Sequence, residues 1–174
     1  MADMNPATND RPRLVLLIDA DLATRQLVAP ILAPSGLDLV QARESVAGLE
    51  ILQRLPERFR LVIVSLEMPG LSGAAVIGTL RLFRPELAVV CLTGAEPATA
   101  SATPGCLTKP VQVDALREQV SEALLGRAPA AMDLLQISSE VVERARTAFG
   151  RSRSLLDAAR EIAAGLPGPA TEGW

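Results

Sequence analysis

Short apolar runs and amphipathic stripes take turns along this chain. Leu14 to Ile18 contains no polar position, which predicts a strand buried on both faces, as in a parallel sheet. Thr24, Leu27, Val28, Ile31 and Leu32 then recur at helical spacing until Pro34-Ser35-Gly36 stops them. Leu37 to Val40 predicts a second strand, and Val46, Leu49, Leu52 and Leu55 a second helix ended at Pro56. Arg60 to Val64 is a third buried strand, Met68-Pro69-Gly70 a turn, and Ala74 to Phe83 a third helix stopped by Pro85. Leu87 to Leu92 and the brief Cys106-Leu107-Thr108 are the fourth and fifth strands. A closing helix over Val113 to Leu125 carries Val113, Leu116, Val120 and Leu124 on one stripe.

Strand and helix in alternation predict an α/β fold, built of right-handed βαβ units around a doubly wound parallel sheet. Such sheets place their sites at the carboxyl ends of the strands. That rule selects Asp19-Ala20-Asp21, Ser65-Leu66-Glu67, Thr93-Gly94 and Lys109. One stretch breaks the rhythm. GAEPATASATPGCLT, from Gly94 to Thr108, is too short and too poorly apolar for a connection plus a helix of about 11 residues. The fourth helix is therefore expected to be shortened or missing.

Residues 1–12 are polar and unpatterned and predict a flexible tail, followed by one domain over 13–126. RAPA at 127–130 opens a C-terminal helical extension, 127–174. Its first stripe runs from Leu134 through Val141 and Val142 to Phe149, its second from Leu155 through Ala159 and Ile162 to Leu166. The two form one bent helix or a hairpin around Gly150, frayed from about residue 167. These two amphipathic stripes either pack back on the domain or cover another copy of the tail or a partner's helix. The second is the expectation, because the domain's sheet already has its helices.

Composition narrows the chemistry. The chain has 174 residues, 49% apolar and 2% aromatic, enough for an aliphatic core. There is no His, which removes Ser-His-Asp and Cys-His catalysis, His metal ligands and any phosphohistidine relay. Absent Tyr argues against a base-stacking nucleic-acid platform. Net charge is −3, from 11 basic and 14 acidic residues in 1–126 and six of each in 127–174, so charge names no partner. No apolar run spans a membrane and the N-terminus is unlike a signal peptide, so the expectation is a cytoplasmic protein without membrane contact. Cys91 and Cys106 sit in apolar surroundings and are expected to be free, as small hydrophobes. Lys109 is the only lysine; every other basic residue is Arg.

IDAD after the first strand, VSLEMPGLSG after the third, LTG after the fourth and TKP after the fifth, in that order, resemble the response-regulator receiver domain from Arg13 to Gly126. The resemblance implies a CheY-like, five-stranded sheet of order 2-1-3-4-5. It also implies phosphoryl transfer to an aspartate ending strand three. Carboxylates after strand one would hold a divalent cation, and a hydroxyl and a lysine would hold the phosphoryl oxygens. Thr93, Lys109 and Pro110 match that pattern, Pro110 where a cis peptide bond is usual. Ser65 stands at the acceptor position, Ala20 at a metal-ligand position, and Cys106 at that of an aromatic switch. Asp19, Asp21 and Glu67 are left as a remnant acidic pocket.

The resemblance thus implies a degenerate pseudo-receiver without catalytic residues or cofactor, since serine forms no acyl phosphate. Lys109 is expected to pair with Asp19, and Thr93 to be a locally satisfied hydroxyl. Magnesium on Asp19 and Asp21, with Glu67, is the minor alternative. The expected function is a phosphorylation-independent interaction module docking a sensor kinase or another regulator, and dimerising through its C-terminal helices. The alternative is a transcription regulator touching DNA through Arg144, Arg146, Arg151, Arg153 and Arg160, though the tail has no net charge and no helix-turn-helix signature. An enzyme is not expected.

Overall fold

The computed structural model describes residues 14–94, 106–126, 143, 146–147 and 154–166. The chain runs β1 (Leu14–Ile18), α1 (Leu22–Leu32), β2 (Asp38–Ala42), α2 (Ser45–Arg54), β3 (Phe59–Ser65), α3 (Gly73–Phe83), β4 (Ala88–Thr93), β5 (Cys106–Thr108), α4 (Val113–Leu124) and α5 (Leu155–Gly165). All five strands are parallel, in the order β2-β1-β3-β4-β5, as expected. The flexible N-terminal tail, the shortened helix after β4, the first tail stripe and the frayed end were expected in stretches outside the described residues.

The unbroken apolar runs have a simple cause: β1 and β3 are buried on both faces. Leu16, Ile18, Val62 and Val64 point to one face and pack with Leu49, Leu52 and Leu80 of α2 and α3. Val15, Leu17, Leu61 and Ile63 point to the other and pack with Val28 and Ile31 of α1 and Leu116 and Val120 of α4. Each fully buried aliphatic side chain here contributes about 1.5–3 kcal/mol.

In the C-terminal extension, the second stripe follows the alternative of packing back rather than the expectation of covering a second copy or a partner. In α5 the apolar stripe packs on its own domain. Ala158 and Ile162 meet Ala75 of α3, all 0% exposed, while Leu155 and Ala159 join the cluster against the sheet. The physical reason lies in α3 itself. GAAVIGTLRLF is apolar nearly all round, so the sheet covers one side and the other needs a second lid. Small residues at Ala75, Ala158 and Ala159 bring the two helices close.

A second correction concerns the cysteines. Cys91 and Cys106 are not free: they form a disulfide. The β4–β5 register sets the two residues directly opposite each other, with Cα atoms 4.6 Å apart, within bonding reach. Their surroundings are apolar as expected; only the pairing was hidden, because register is a tertiary property.

Candidate functional site

Four strand ends converge on one cleft. Asp19 follows β1, Ser65 ends β3, Thr93 ends β4 and Lys109 follows β5. Backbone bonds between neighbours lock these ends together: Leu66 N–H donates to Leu92 O at 2.8 Å, and Lys109 N–H to Thr93 O at 2.8 Å. Lys109 is joined to Pro110 by a cis peptide bond.

The Lys109 ammonium lies at the centre. It is 2.8 Å from Asp19 Oδ2, and donates to Asp19 Oδ1 at 3.0 Å and to the Ser65 hydroxyl oxygen at 3.0 Å. Asp19 is buried, so this ion pair is a desolvated one, with each charge dependent on the other. Asp19 Oδ1 also accepts the Asp21 N–H at 2.9 Å.

Glu67 completes a second half. Its Oε1 accepts the Thr93 hydroxyl at 2.7 Å, and its Oε2 accepts the Gly94 N–H at 3.0 Å and, at 3.5 Å, the Ser65 hydroxyl. Asp19, Lys109, Ser65, Glu67 and Thr93 therefore form one chain of alternating acceptors and donors. Ser65 takes its short contact from an ammonium, which draws electron density from its oxygen. That environment does not activate a nucleophile.

Asp21 lines the same cleft beside Lys109 and Gly94, but its side chain is engaged elsewhere. Its carboxylate caps α1, accepting from Ala23 N at 3.2 Å, Thr24 N at 3.0 Å and the Thr24 hydroxyl at 2.6 Å. Those bonds, the Thr24 hydroxyl first, hold its pKa below the usual aspartate value. Of the three acids, Asp19 and Glu67 bond across the cleft, while Asp21 borders it and caps α1. The signal for Asp21 was present in the sequence as an Asp-x-x-Thr N-cap.

The residues present do not fit a divalent cation. Asp19 is spent on Lys109, Asp21 on the helix, Glu67 on Thr93 and Gly94, and Ala20 offers no side-chain oxygen. Among the described residues, no group of three His, Cys, Asp or Glu side chains is placed to hold a metal ion. No described helix is long and apolar enough to cross a membrane.

Two supporting residues were not picked out from the sequence. Arg25 reaches back from α1 and donates to Asp19 O at 2.7 Å and Ala20 O at 3.0 Å, steadying the loop after β1. Gly73, opening α3, lies so close to β3 that a Cβ there would collide with the Ser65 carbonyl. No local pattern marks Arg25, whereas Gly73 is the closing glycine of VSLEMPGLSG. Of the arginines considered for DNA contact, Arg146 and Arg160 are exposed, and Arg160 pairs with Asp157 at 3.8 Å. Arg144, Arg151 and Arg153 lie outside the described residues.

Comparison with known proteins places these features. Residues 15–121 match the response regulator receiver domain family. The chain is similar to the transcriptional regulatory protein GlrR of Escherichia coli K12, with 33% identity over 126 residues, 69% of this chain and 28% of that one. It is also similar to the response regulator protein FleR of Pseudomonas aeruginosa, with 30% identity over 155 residues, 86% of this chain and 30% of that one. The chain thus spans under a third of the length of these relatives. Among solved structures, a response regulator receiver domain protein from Clostridium thermocellum superposes with a TM-score of 0.56 at 26% identity, over 66% of this chain and 95% of that one.

Proposed function

This chain belongs to the response regulator receiver family, and we propose that it works there as a phosphorylation-independent member that signals by docking a protein partner. One observation carries the reading: the groups that would receive an incoming phosphoryl group are already occupied from within. Ser65 stands where the family places its aspartate, and a serine forms no acyl phosphate. The Thr93 hydroxyl and the Gly94 N–H, both suited to hold anionic oxygens, are spent on the Glu67 carboxylate. Lys109 is spent on Asp19. The cleft is a remnant whose donors are satisfied from within.

The names of the relatives, transcriptional regulatory and response regulator proteins, support a place in two-component signalling beside a sensor kinase or another regulator. Homodimerisation belongs to this proposal as well. Because the α5 stripe is covered by α3, that role falls to the apolar positions between Leu134 and Phe149.

Incubation with acetyl phosphate and magnesium tests the central point. Intact-protein mass is expected to stay unchanged. A stable phosphoryl group on Asp19, Asp21 or Glu67 overturns the reading. Light scattering tests the second: Val142→Asp is expected to turn a dimer into a monomer, and a full chain that is monomeric throughout removes dimerisation.

A further inference from the structure

We propose that Cys91 and Cys106 are a reversible dithiol–disulfide pair whose oxidised form fastens the edge strand leading to Lys109 onto the strand leading to Thr93. This inference stands apart from the reading of Ser65 and concerns the two strands that carry the cleft's donors.

The two cysteines are the only ones in the chain, 15 positions apart, and the parallel register sets them face to face. Two register steps further along the same pair of strands, Thr93 faces Thr108, and the next residue is Lys109. Among the described residues, β5 is held by its ladder to β4 and by partly buried side chains. It is three residues long, lies at the sheet edge, and has no fully buried side chain. The central strands β1 and β3 are longer and buried on both faces. The covalent bond at Cys106 adds a tie three residues before Lys109, beside the Lys109 N–H bond to Thr93 O and the ammonium's own contacts with Asp19 and Ser65. Edge elements with few buried contacts are the first to open locally.

The chemistry needs only a dithiol. Cys91 is buried at 4% exposure and Cys106 is more open, so an incoming thiolate attacks the Cys106 sulfur. The disulfide breaks and its electron pair leaves on the Cys91 sulfur, which takes up a proton. The second thiol of the reductant then attacks the mixed disulfide and frees Cys106 as a thiol. Two electrons and two protons pass from the dithiol to the pair, and the dithiol leaves as its own disulfide. An oxidised dithiol runs the same steps backwards.

The single lysine provides the readout. The full-length chain is equilibrated in reduced or in oxidised dithiothreitol. Thiols are counted by iodoacetamide alkylation, and the rate of Lys109 acetylation by an N-hydroxysuccinimide ester is followed by peptide mass mapping. Amide exchange of residues 106–109 is measured alongside. Reduction is expected to release both thiols and to raise Lys109 acetylation and local amide exchange about tenfold, by freeing the edge strand. Cys106→Ala is expected to match the reduced wild type in either buffer. Two free thiols in oxidised buffer overturn the proposal. So do rates in the two buffers that agree within about twofold, a gap too small for a lost tether. A Cys106→Ala protein that behaves like the oxidised wild type has the same effect.

Discussion

The Thr93 hydroxyl donates to Glu67 Oε1 at 2.7 Å, joining residues 26 positions apart, and the Gly94 N–H bonds the other oxygen of the same carboxylate at 3.0 Å. One side chain from the turn after β3 thereby saturates the donors at the end of β4. The cleft carries its own anion. Removing that anion leaves the donors facing water and Lys109 nearby. Glu67→Ala is expected to bind inorganic phosphate or sulfate weakly where the wild type does not. Titration followed at the Gly94 amide by NMR checks this; equal shifts in both proteins argue against a filled pocket.

Lys109→Met strands the Asp19 carboxylate, which is 1% exposed, without its counter-charge. Breaking one side of such a pair costs about 3–5 kcal/mol. The urea midpoint should fall accordingly. Adding Asp19→Asn to Lys109→Met should recover much of the loss, because no charge is then left buried.

Asp21 titrates with a pKa held below the usual aspartate value by its bonds to Thr24 and Ala23. A lowered folded-state pKa stabilises above the unfolded value and is lost as pH falls through the folded one. The stabilising effect is therefore complete above about pH 4 and fades below it. Asp21→Asn keeps a capping oxygen but no titration, so its stability should decline less steeply between neutral and acid pH. Urea unfolding across that range reads the difference in slope.

Ile162 is 0% exposed against Ala75 and Ala158. Ile162→Ala empties that space and should cost about 2–5 kcal/mol. If α5 hung free of the domain, the same change would be near neutral in thermal or urea unfolding.

Gly73→Ala places a Cβ against the Ser65 carbonyl, and backbone cannot yield as a side-chain tip can. Such overpacking costs about 1–3 kcal/mol. It should also move Ser65 away from Lys109, visible as faster Lys109 acetylation.

Much of this protein follows from local pattern alone. Unbroken runs such as LVLLI in β1 and the stripe Leu116, Val120 in α4 announce buried parallel strands and their covering helices, because period and burial are written residue by residue. The positions of Asp19, Ser65, Thr93 and Lys109 at strand ends follow from the same pattern, while the missing carboxylate at Ser65 is legible only through the family resemblance. Which groups then meet was settled only by tertiary structure. Asp21 turned to its helix and Glu67 to Thr93, though both are acids beside the same cleft, because hydrogen-bond geometry chooses between equal charges. The pairing of Cys91 with Cys106 came from strand register. The α5 stripe found its own α3 because that helix was apolar on a side the sheet could not reach, and burial goes to the nearest surface that needs covering.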